Sequence, residues 1–472
     1  MTAHKSSSKR LTRRELLKLS GALGAGSLLA ACAPATTPAP TAVPPTSAPA
    51  NTEVPAPTEV PTQAPPQGEV TIMHQRNELS EDQQKQFETD NAGITMNFIN
   101  ADDTRFFAMY AAGAPPDLLR TQAAAIPQFL ARKILYDLTP YFEVSTAIKP
   151  DDLAPANKFY RANSPLDIGD GKYYGMVKDW SPDETIFIYK PLFEAANVPL
   201  PDDTKPLTYT EVADLAAKTA KFEGERVVNW GYGHIGEVDR LWTNHLAEVG
   251  EELYADSYTR INLKASDNAK KVIQYYFDLA KKNLVANSLN PSPGGWNGDD
   301  FIKGTLAMVQ WGYWFSAMAE SDVTKGHVMS IPAPTWAGQR RDPTVTATGM
   351  IMAAASQIPD AAWKVFEWYN GLQPAVDRAK SGWGVPGLKS MYNLMPTESD
   401  FQKQANKVLM GEMPYSEATF QYNPFLSKTT VQDSWAKNLD QALHGTMDFD
   451  GLVGALESDI NTAIKDGIDR IG

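Results

Sequence analysis

Tryptophan residues in glycine-rich loops are the side chains of this sequence whose type and position best suit binding chemistry. Trp296 follows two glycines, and Trp383 lies between two others. Flat aromatic faces pack in cores, and they also stack against the C–H faces of sugar rings. Carboxylates, amides and arginines supply hydrogen bonds to hydroxyl groups, and the charged groups make the stronger bonds. The eleven Trp and 18 Tyr of the 472 residues leave aromatic surface available for such a ligand.

Residue patterns that would indicate catalysis or metal binding are weak in this chain. The sequence has no Gly-x-Ser-x-Gly elbow, and its six histidines show no metal-ligand spacing. Asp179 and Asp183 are spaced so that they could form a carboxylate pair acting on a polysaccharide. We therefore expect no catalytic residue, no metal and no cofactor, and we keep a secreted polysaccharide-acting enzyme as an alternative.

Alternating strand and helix patterns must position these side chains. Val70 and Ile72 alternate with polar residues in a first strand, and a β-branched and aromatic run marks residues 185–189 as another. Apolar residues recur at helical spacing in residues 266–282 and 361–372. The shorter segments 83–89 and 94–99 predict a helix and a strand. The alternation predicts an α/β architecture.

Residues 1–31 have the pattern of an export signal. A basic stretch that includes Arg13 and Arg14 precedes an apolar run of 13 residues, which is shorter than the roughly 20 that span a bilayer. The two arginines resemble the twin-arginine export motif, and an ordinary Sec signal is the alternative. We expect these residues to be removed from the mature protein.

Cys32 ends a Leu-Ala-Ala-Cys sequence that resembles a lipobox and is the only cysteine of the chain. Lipidation of Cys32 would anchor the exported protein to the outer face of the bacterial membrane, or to its periplasmic side. Residues 32–68 are rich in proline, threonine and alanine, and such a segment cannot bury enough apolar surface to fold. We interpret them as an extended linker that holds the domain off the membrane.

Residues 69–472 are long enough for two domains. The net charge of the chain is −13, which argues against nucleic acid as a partner, because phosphates require basic patches. We expect this part to be a monomer.

Several segments, taken in order, resemble the sugar-binding lipoproteins of ABC importers, the extracellular solute-binding protein family 1 that includes the maltose-binding protein. They are TIMH at 71–74, AAGAPPDL at 111–118, LYDLTP at 135–140, DGKYYGM at 170–176, IYKPLF at 188–193, FIKGTLAM at 301–308 and GYW at 312–314. The resemblance implies a type II periplasmic-binding-protein-like fold of two α/β lobes with a hinge and an interlobe ligand cleft. It places lobe one at about 69–184 and 330–372, and lobe two at about 185–329 and 373–472.

The resemblance also implies which residues face the ligand. Trp314 matches a tryptophan that stacks on sugar in the family, and Trp242 lies where relatives place other contacts. The remaining candidates are, from lobe one, His74, Gln75, Arg76, Thr121, Gln122, Asp179, Trp180, Asp183 and Gly349, beside Trp242 the residues Asp239 and Arg240, and in the glycine-rich loops Trp296 and Trp383.

The function that the resemblance implies is capture of a mono- or oligosaccharide, without catalysis, and its delivery to the transmembrane subunits of an ABC permease. A binder of a peptide, polyamine or glycerol phosphate is the alternative within the same fold. A phosphate ligand would require more arginine and lysine in the cleft than the sequence offers.

Overall fold

The computed structural model describes residues 66–471, except for 345–346, 417–419 and 428. These residues belong to one compact unit, Ala64–Gly472. The predicted signal, with Arg13 and Arg14, lies outside the described residues, as do Cys32 and almost all of the predicted linker.

The strands of the described part follow one another along the chain. They are β1 Gly68–His74, β2 Ile94–Asn100, β3 Leu118–Gln122, β4 Arg161–Ser164, β5 Asp167–Tyr173, β6 Gly175–Trp180, β7 Ile186–Tyr189, β8 Lys221–Glu223, β9 Arg226–Gly233, β10 Tyr254–Ala255, β11 Arg260–Ile261, β12 Leu306–Gln310, β13 Val328–Ile331, β14 Thr348–Met352 and β15 Val385–Pro386.

The helices alternate with these strands. They are α1 Glu81–Asp90, α2 Asp103–Ala111, α3 Ile126–Ala131, α4 Thr139–Val144, α5 Lys190–Ala195, α6 Tyr209–Thr219, α7 Val238–Glu248, α8 Asp267–Lys281, α9 Asn297–Ile302, α10 Ser316–Ala319, α11 Pro359–Gly371, α12 Gln373–Ser381, α13 Asp400–Glu412, α14 Thr430–Leu443 and α15 Phe449–Ile471. Short 3-10 helices lie at Ala123–Ala125, Pro150–Asp152, Pro155–Tyr160, Tyr313–Phe315, Lys389–Leu394 and Met413–Tyr415.

Two larger sheets form the centres of two lobes. The first has the order β15-β6-β14-β3-β1-β2, with β1 parallel to β2 and β3, and β14 antiparallel to β3 and β6. The second has the order β13-β7-β12-β9-β8, with β12 parallel to β9 and antiparallel to β7. The predicted α/β architecture is confirmed.

Helix ends carry the capping residues that the sequence offers. Ser80, Thr208 and Ser399 each begin a helix with a capping box, which satisfies two backbone N–H groups at the helix start. The predicted elements at 83–89, 94–99, 185–189, 266–282 and 361–372 are confirmed to within a few residues at each end.

The chain crosses between the two sheets at residues 181–185, which join β6 to β7, and again at 332–347, which join β13 to β14. The prediction that residues from 373 onward lie in lobe two is wrong for 373–394. Strand β15 pairs with β6, and Ala375, Ala379 and Leu388 are buried in the core of the six-stranded sheet. Helix α11 ends where predicted, but α12 folds back on the same lobe because its apolar side completes that core.

Gly349 lies where strands β14 and β6 approach closely, so a larger side chain at this position should destabilise the fold. A Cβ at this position of β14 would lie 2.0 Å from the carbonyl oxygen of Met176 in β6. We expect Gly349→Ala to lower the free energy of unfolding by at least about 2 kcal/mol, as overpacking against backbone does. Urea denaturation measures the change. Gly454→Ala is the control, because a Cβ there would meet no atom within 4 Å apart from its own chain neighbours and helix backbone, and alanine favours the helix. Equal unfolding midpoints for Gly349→Ala and the parent would contradict the prediction.

Candidate ligand-binding site

A cavity of about 550 Å³ opens in the second lobe, and we name it the lobe-two cavity. Aromatic and apolar side chains form much of its wall, with a few polar groups between them. The wall includes Trp230, Tyr232, His234, Glu237, Val285, Trp296, Asn297, Asp300, Trp311, Thr429 and Gln432. A mostly apolar cavity with a few placed polar groups is the usual form of a small-molecule site.

A second cavity, of about 370 Å³, lies against the first lobe, and we name it the lobe-one cavity. Its wall is polar and includes Gln75, Asp102, Asp103, Thr104, Phe107, Arg120, Thr121, Gln122, Gln128 and Thr429. Thr429 lines both cavities, so the two lie beside each other at the start of α14. Together they form one candidate site with a wall from each lobe.

The topology explains why this site lies where it does. Gln75 follows β1, Thr121 and Gln122 end β3, and His234 follows β9. The starts of α2, α7, α9 and α14 supply other wall residues. In open α/β sheets, ligands bind beyond the carboxyl ends of the strands, where helices begin. Both lobes therefore present their binding edges to the same space.

Four tryptophans form a continuous aromatic group beside the lobe-two cavity, which we name the tryptophan cluster: Trp296, Trp311, Trp314 and Trp383. The rings of Trp296 and Trp314 are nearly parallel, with centroids 6.5 Å apart. Trp311 lies edge-on to Trp314 at 5.3 Å, and its Nε1 donates to Asn297 Oδ1 at 3.0 Å. Trp383 follows α12 of lobe one, and its ring lies 6.2 Å from that of Trp314. The cluster therefore joins the two lobes.

Glycines fix the positions of these rings. A Cβ at Gly298 would lie 2.4 Å from ring carbons of Trp296, so the first turn of α9 leaves room for the indole. Gly382 and Gly384 flank Trp383 with φ angles of 74° and 129°, which side-chain-bearing residues rarely adopt. The glycine-rich sequences therefore place Trp296 at the wall of the lobe-two cavity and Trp383 against Trp314 in the tryptophan cluster.

A buried ionic cluster lies behind the lobe-one cavity. Arg120 donates from Nε and Nη2 to the two carboxylate oxygens of Glu78, at 2.7 and 2.8 Å. Lys178 lies 3.3 Å from Glu78 and also pairs with Asp179. Burial alone would raise the pKa of Glu78, but the charges of Lys178 and Arg120 outweigh it and lower that pKa. Burial raises the pKa of Asp179, and Lys178 opposes the shift.

The crossing segment 181–185 is held by a network that we name the hinge network: Asp183, Glu184, Arg240, Asn244 and Asp342. Arg240 donates to the backbone carbonyl of Asp183 at 2.7 Å, and Asn244 donates to the Glu184 carboxylate at 2.9 Å. Asp342 accepts from the Glu184 backbone N–H at 2.7 Å. Burial is the main cause that raises the pKa of Glu184 to about 8 and that of Asp342 to about 7. Both crossings thus meet in one buried network.

The sequence comparison identifies the family to which this geometry belongs. Residues 75–372 match the family described as bacterial extracellular solute-binding protein. The chain belongs to this family. The predicted resemblance is confirmed, and with it the type II fold of two α/β lobes. A search of curated proteins found no significant match.

Solved structures of solute-binding proteins share the fold at low sequence identity. An ABC substrate-binding protein of Listeria monocytogenes in complex with cycloalternan has a TM-score of 0.70 and 18% identity, covering 84% of this chain and 99% of that one. An ABC transporter solute-binding protein of Thermotoga lettingae bound to α-D-tagatose has a TM-score of 0.66, 18% identity and coverages of 84% and 99%. The maltose/maltodextrin-binding domain of Bdellovibrio bacteriovorus bound to maltotriose has a TM-score of 0.65, 16% identity and coverages of 84% and 100%.

Two further findings concern only the described residues of this solute-binding protein. Among them, no helix has both the length and the apolar character needed to cross a bilayer. Within the same ranges, no group of three or more His, Cys, Asp or Glu side chains is arranged to hold a metal ion.

Some predicted ligand residues do lie at the cavities. Gln75, Thr121 and Gln122 line the lobe-one cavity, and Trp296 lines the lobe-two cavity. Trp314 and Trp383 are half-buried members of the tryptophan cluster. These six residues remain our candidates for ligand contact.

Other predicted residues of lobe one are used by the protein itself. His74 is fully buried, its ring packs edge-on against Tyr369, and burial lowers its pKa to about 3. Arg76 lies over the ring of Phe98, 3.5 Å from its centroid, and donates to Gln84 of α1. Gly349 is buried between β3 and β6. The structure therefore corrects the assignment of these three residues as ligand contacts, because each of them packs against other parts of lobe one.

The aspartates and Trp180 near the first crossing are also committed elsewhere. Trp180 is 3% exposed and belongs to the core. Asp179 pairs with Lys178, and Asp183 accepts from Ser181 Oγ at 2.8 Å. Neither carboxylate lines a cavity described above, so these two residues form no carboxylate pair in the candidate site.

In α7, all three predicted residues are buried. Trp242 is 1% exposed and packs edge-on against Trp435, which makes it a core residue. Arg240 belongs to the hinge network. Asp239 accepts from Gln432 Nε2 at 3.1 Å and lies just behind the lobe-two cavity wall. Helix α14 packs on the face of α7 that carries Asp239 and Trp242 and covers it. The sequence alone did not indicate this contact between the two helices.

Several wall residues were not predicted from the sequence as ligand contacts. They include Trp230, His234, Glu237, Asn297, Asp300 and Gln432 in lobe two, and Asp102, Asp103 and Arg120 in lobe one. Many of them immediately follow a strand or begin a helix. That position in the α/β pattern was the signal that could have found them.

Proposed function

We propose that this solute-binding protein captures a mono- or oligosaccharide between its two lobes and delivers it to the transmembrane subunits of an ABC permease. The observation that carries the proposal is the tryptophan cluster beside a cavity whose wall also offers carboxylates, amides and a histidine. Aromatic faces suit the C–H faces of a sugar ring, and the polar groups suit its hydroxyls. The proteins of similar fold described above were solved with saccharides or a sugar bound.

The two-walled site supports a closing mechanism. A ligand that contacts both walls stabilises the arrangement in which the lobes approach, because it interacts better with that state than with an open one. The crossing at 181–185 and the hinge network connect the lobes. We propose that the permease distinguishes the loaded protein by this closed arrangement.

We propose binding without catalysis. Asp179 and Asp183, the carboxylates considered as an enzymatic pair, are engaged by Lys178 and Ser181 rather than placed at a cavity. Recovery of chemically intact sugar after prolonged incubation would support binding alone, and its breakdown would support an enzyme.

We also propose export through the signal at residues 1–31, with Arg13 and Arg14 as the twin-arginine motif. Lipidation of Cys32 would tether the protein to the outer face of the cell membrane through the linker at 32–68, and we propose that it acts there as a monomer. Cys32→Ala should release the protein from the membrane fraction. Membrane retention of that variant would contradict the lipid anchor.

Truncation of the cluster tests the carbohydrate proposal. We expect Trp296→Ala and Trp314→Ala each to weaken binding of the best oligosaccharide by about 30-fold, since each removes an aromatic anchor worth about 2 kcal/mol. Calorimetric titration against a panel of mono- and oligosaccharides measures the effect.

Trp368→Ala provides the matched control, because Trp368 is also half-buried but packs on Phe87 within lobe one. Its affinity for the sugar should match that of the parent. Binding of a peptide or glycerol phosphate with no response to any saccharide would contradict the proposed function and leave the fold unaffected.

A further inference from the structure

We propose that the lobe-two cavity selects a saccharide that carries a protonated amine, and that Glu237 is the residue that selects it. This inference rests on the carbohydrate function proposed above and names the class of sugar. It follows from the charge and hydrogen-bonding capacity of the cavity wall.

The charge of the lobe-two cavity is one-sided. Its wall carries the carboxylates Glu237 and Asp300, and none of the described lysines or arginines lines it. Asp300 is used internally, because it accepts from Ser292 Oγ and from the backbone N–H of Gly294. Glu237 is half-buried, and its carboxylate has no hydrogen bond or ion pair with any other described residue, although its backbone carbonyl accepts from the Arg240 N–H at 3.1 Å. One carboxylate therefore remains available to a ligand.

A second carboxylate lies close to Glu237 behind the cavity wall. Asp239 lies behind the wall, where burial, and after it the charge of Glu237, raises its pKa to about 7. Arg240 is the adjacent cation, but its guanidinium donates to the Asp183 carbonyl in the hinge network. An incoming positive charge would favour the ionised forms of both Glu237 and Asp239, and an ammonium group therefore suits this position.

Unused acceptors surround the same space. Gln432 donates its Nε2 to Asp239, which leaves its buried Oε1 without a partner among the described residues. Nδ1 of His234 lies 2.7 Å from the carbonyl oxygen of Ile235, so this nitrogen carries the proton and Nε2 is an acceptor. An ammonium group has three donors and no acceptor, which matches this wall.

Aromatic rings complete the fit to an amine-bearing sugar. Trp230, Trp296 and Trp311 line the cavity, and a cation near an aromatic face is stabilised by the ring quadrupole. The buried Nε1 of Trp230 has no partner among the described residues and can donate to a ring hydroxyl. The cavity thus offers places for both the amine and the sugar ring.

Helix capping does not account for Glu237. Acidic residues are common at helix starts, where they interact with the helix dipole. Asp102 fits that explanation, since its carboxylate accepts from the Arg105 backbone N–H at 2.9 Å. Glu237 stands at the corresponding position of α7 but makes no such hydrogen bond.

Calorimetry on the purified full-length protein at about pH 6.5, where amines are protonated, tests the proposal. The probes are the β-1,4-linked glucosamine disaccharide, its N-acetylated form and the neutral glucose disaccharide of the same linkage, with putrescine as an amine that lacks a sugar. We expect the glucosamine disaccharide to bind about tenfold more tightly than the neutral one, with a preference that shrinks as salt is added. In Glu237→Gln the preference should fall to about twofold or less, and in the exposed control Glu225→Gln it should persist.

The outcomes separate this inference from the proposed function. Equal or tighter binding of the neutral or N-acetylated disaccharide would overturn the amine inference and keep the carbohydrate function. An amine preference that survives Glu237→Gln would overturn the role of Glu237. Binding of putrescine alone would overturn the carbohydrate function and keep an amine site. Binding of none of these probes would overturn the inference.

Discussion

Arg120→Met is expected to lower the free energy of unfolding by about 3 kcal/mol, because it removes one partner of a buried ion pair. Arg120 neutralises Glu78 through two hydrogen bonds, and Glu78 is almost completely buried at its carboxylate, with 3% of the side chain exposed. After the substitution, Lys178 remains as the cation that pairs with both Glu78 and Asp179. The buried cluster then carries an uncompensated negative charge. Urea denaturation at neutral pH measures the loss.

A second substitution tests the cause of that loss. Glu78→Gln combined with Arg120→Met removes both charges and leaves the pair of Lys178 with Asp179. We expect the double variant to be more stable than Arg120→Met alone, since the remaining charges balance. Arg226→Met, which breaks an exposed pair with Glu223, should change the stability little. A double variant less stable than Arg120→Met would show that lost packing, rather than charge, dominates.

The hinge network is expected to make the protein less stable as the pH rises from the acid range toward about 8. Burial raises the pKa of Glu184 to about 8, well above the value near 4.5 of an exposed glutamate. Below about pH 4.5 both folded and unfolded chains carry the proton. Between that pH and about pH 8 the folded chain keeps a proton that the unfolded chain releases. The contribution to stability is therefore present at low pH and is lost as the pH rises through the folded pKa.

Glu184→Gln isolates this contribution. Each pH unit in which one state holds one extra proton is worth about 1.4 kcal/mol, so the parent should lose on the order of 2 kcal/mol between pH 6 and 8.5. The variant should lose clearly less, although Asp342, with a pKa of about 7, adds to the loss near pH 6 in both proteins. The buried histidines, including His74, have lowered pKa values and contribute mainly below pH 6.5.

Denaturant unfolding of parent and variant across this pH range provides the measurement. Glu225→Gln, on the exposed turn between β8 and β9, is the control and should follow the parent. A decline in stability that is the same in Glu184→Gln and the parent would contradict a role of Glu184. If the prediction holds, alkaline pH should also weaken the joint between the lobes, because Glu184 and Asp342 belong to different crossing segments.

The sequence by itself determined the α/β alternation, the type and place of several elements, the family and the tryptophans beside glycines. These are local properties: hydrophobic period, capping residues and glycines at positive φ act over a few neighbouring residues. The loop at 382–384 illustrates this. The positive φ angles of Gly382 and Gly384 set the backbone on both sides of Trp383, and these are three consecutive residues.

Only the tertiary structure decided which polar and aromatic side chains face the cavities. Trp242 is buried because Trp435, far along the chain, packs on it, whereas Trp296 is left half-buried at a cavity. Arg240 is occupied by the hinge network, while Glu237, in the same region of the chain, keeps an unpaired carboxylate at the wall. Exposure depends on contacts between segments distant in sequence, and no local pattern records those contacts. The physical cause is that the burial of a side chain depends on how all the segments pack together, whereas hydrophobic periodicity and helix capping depend only on the residues of one segment.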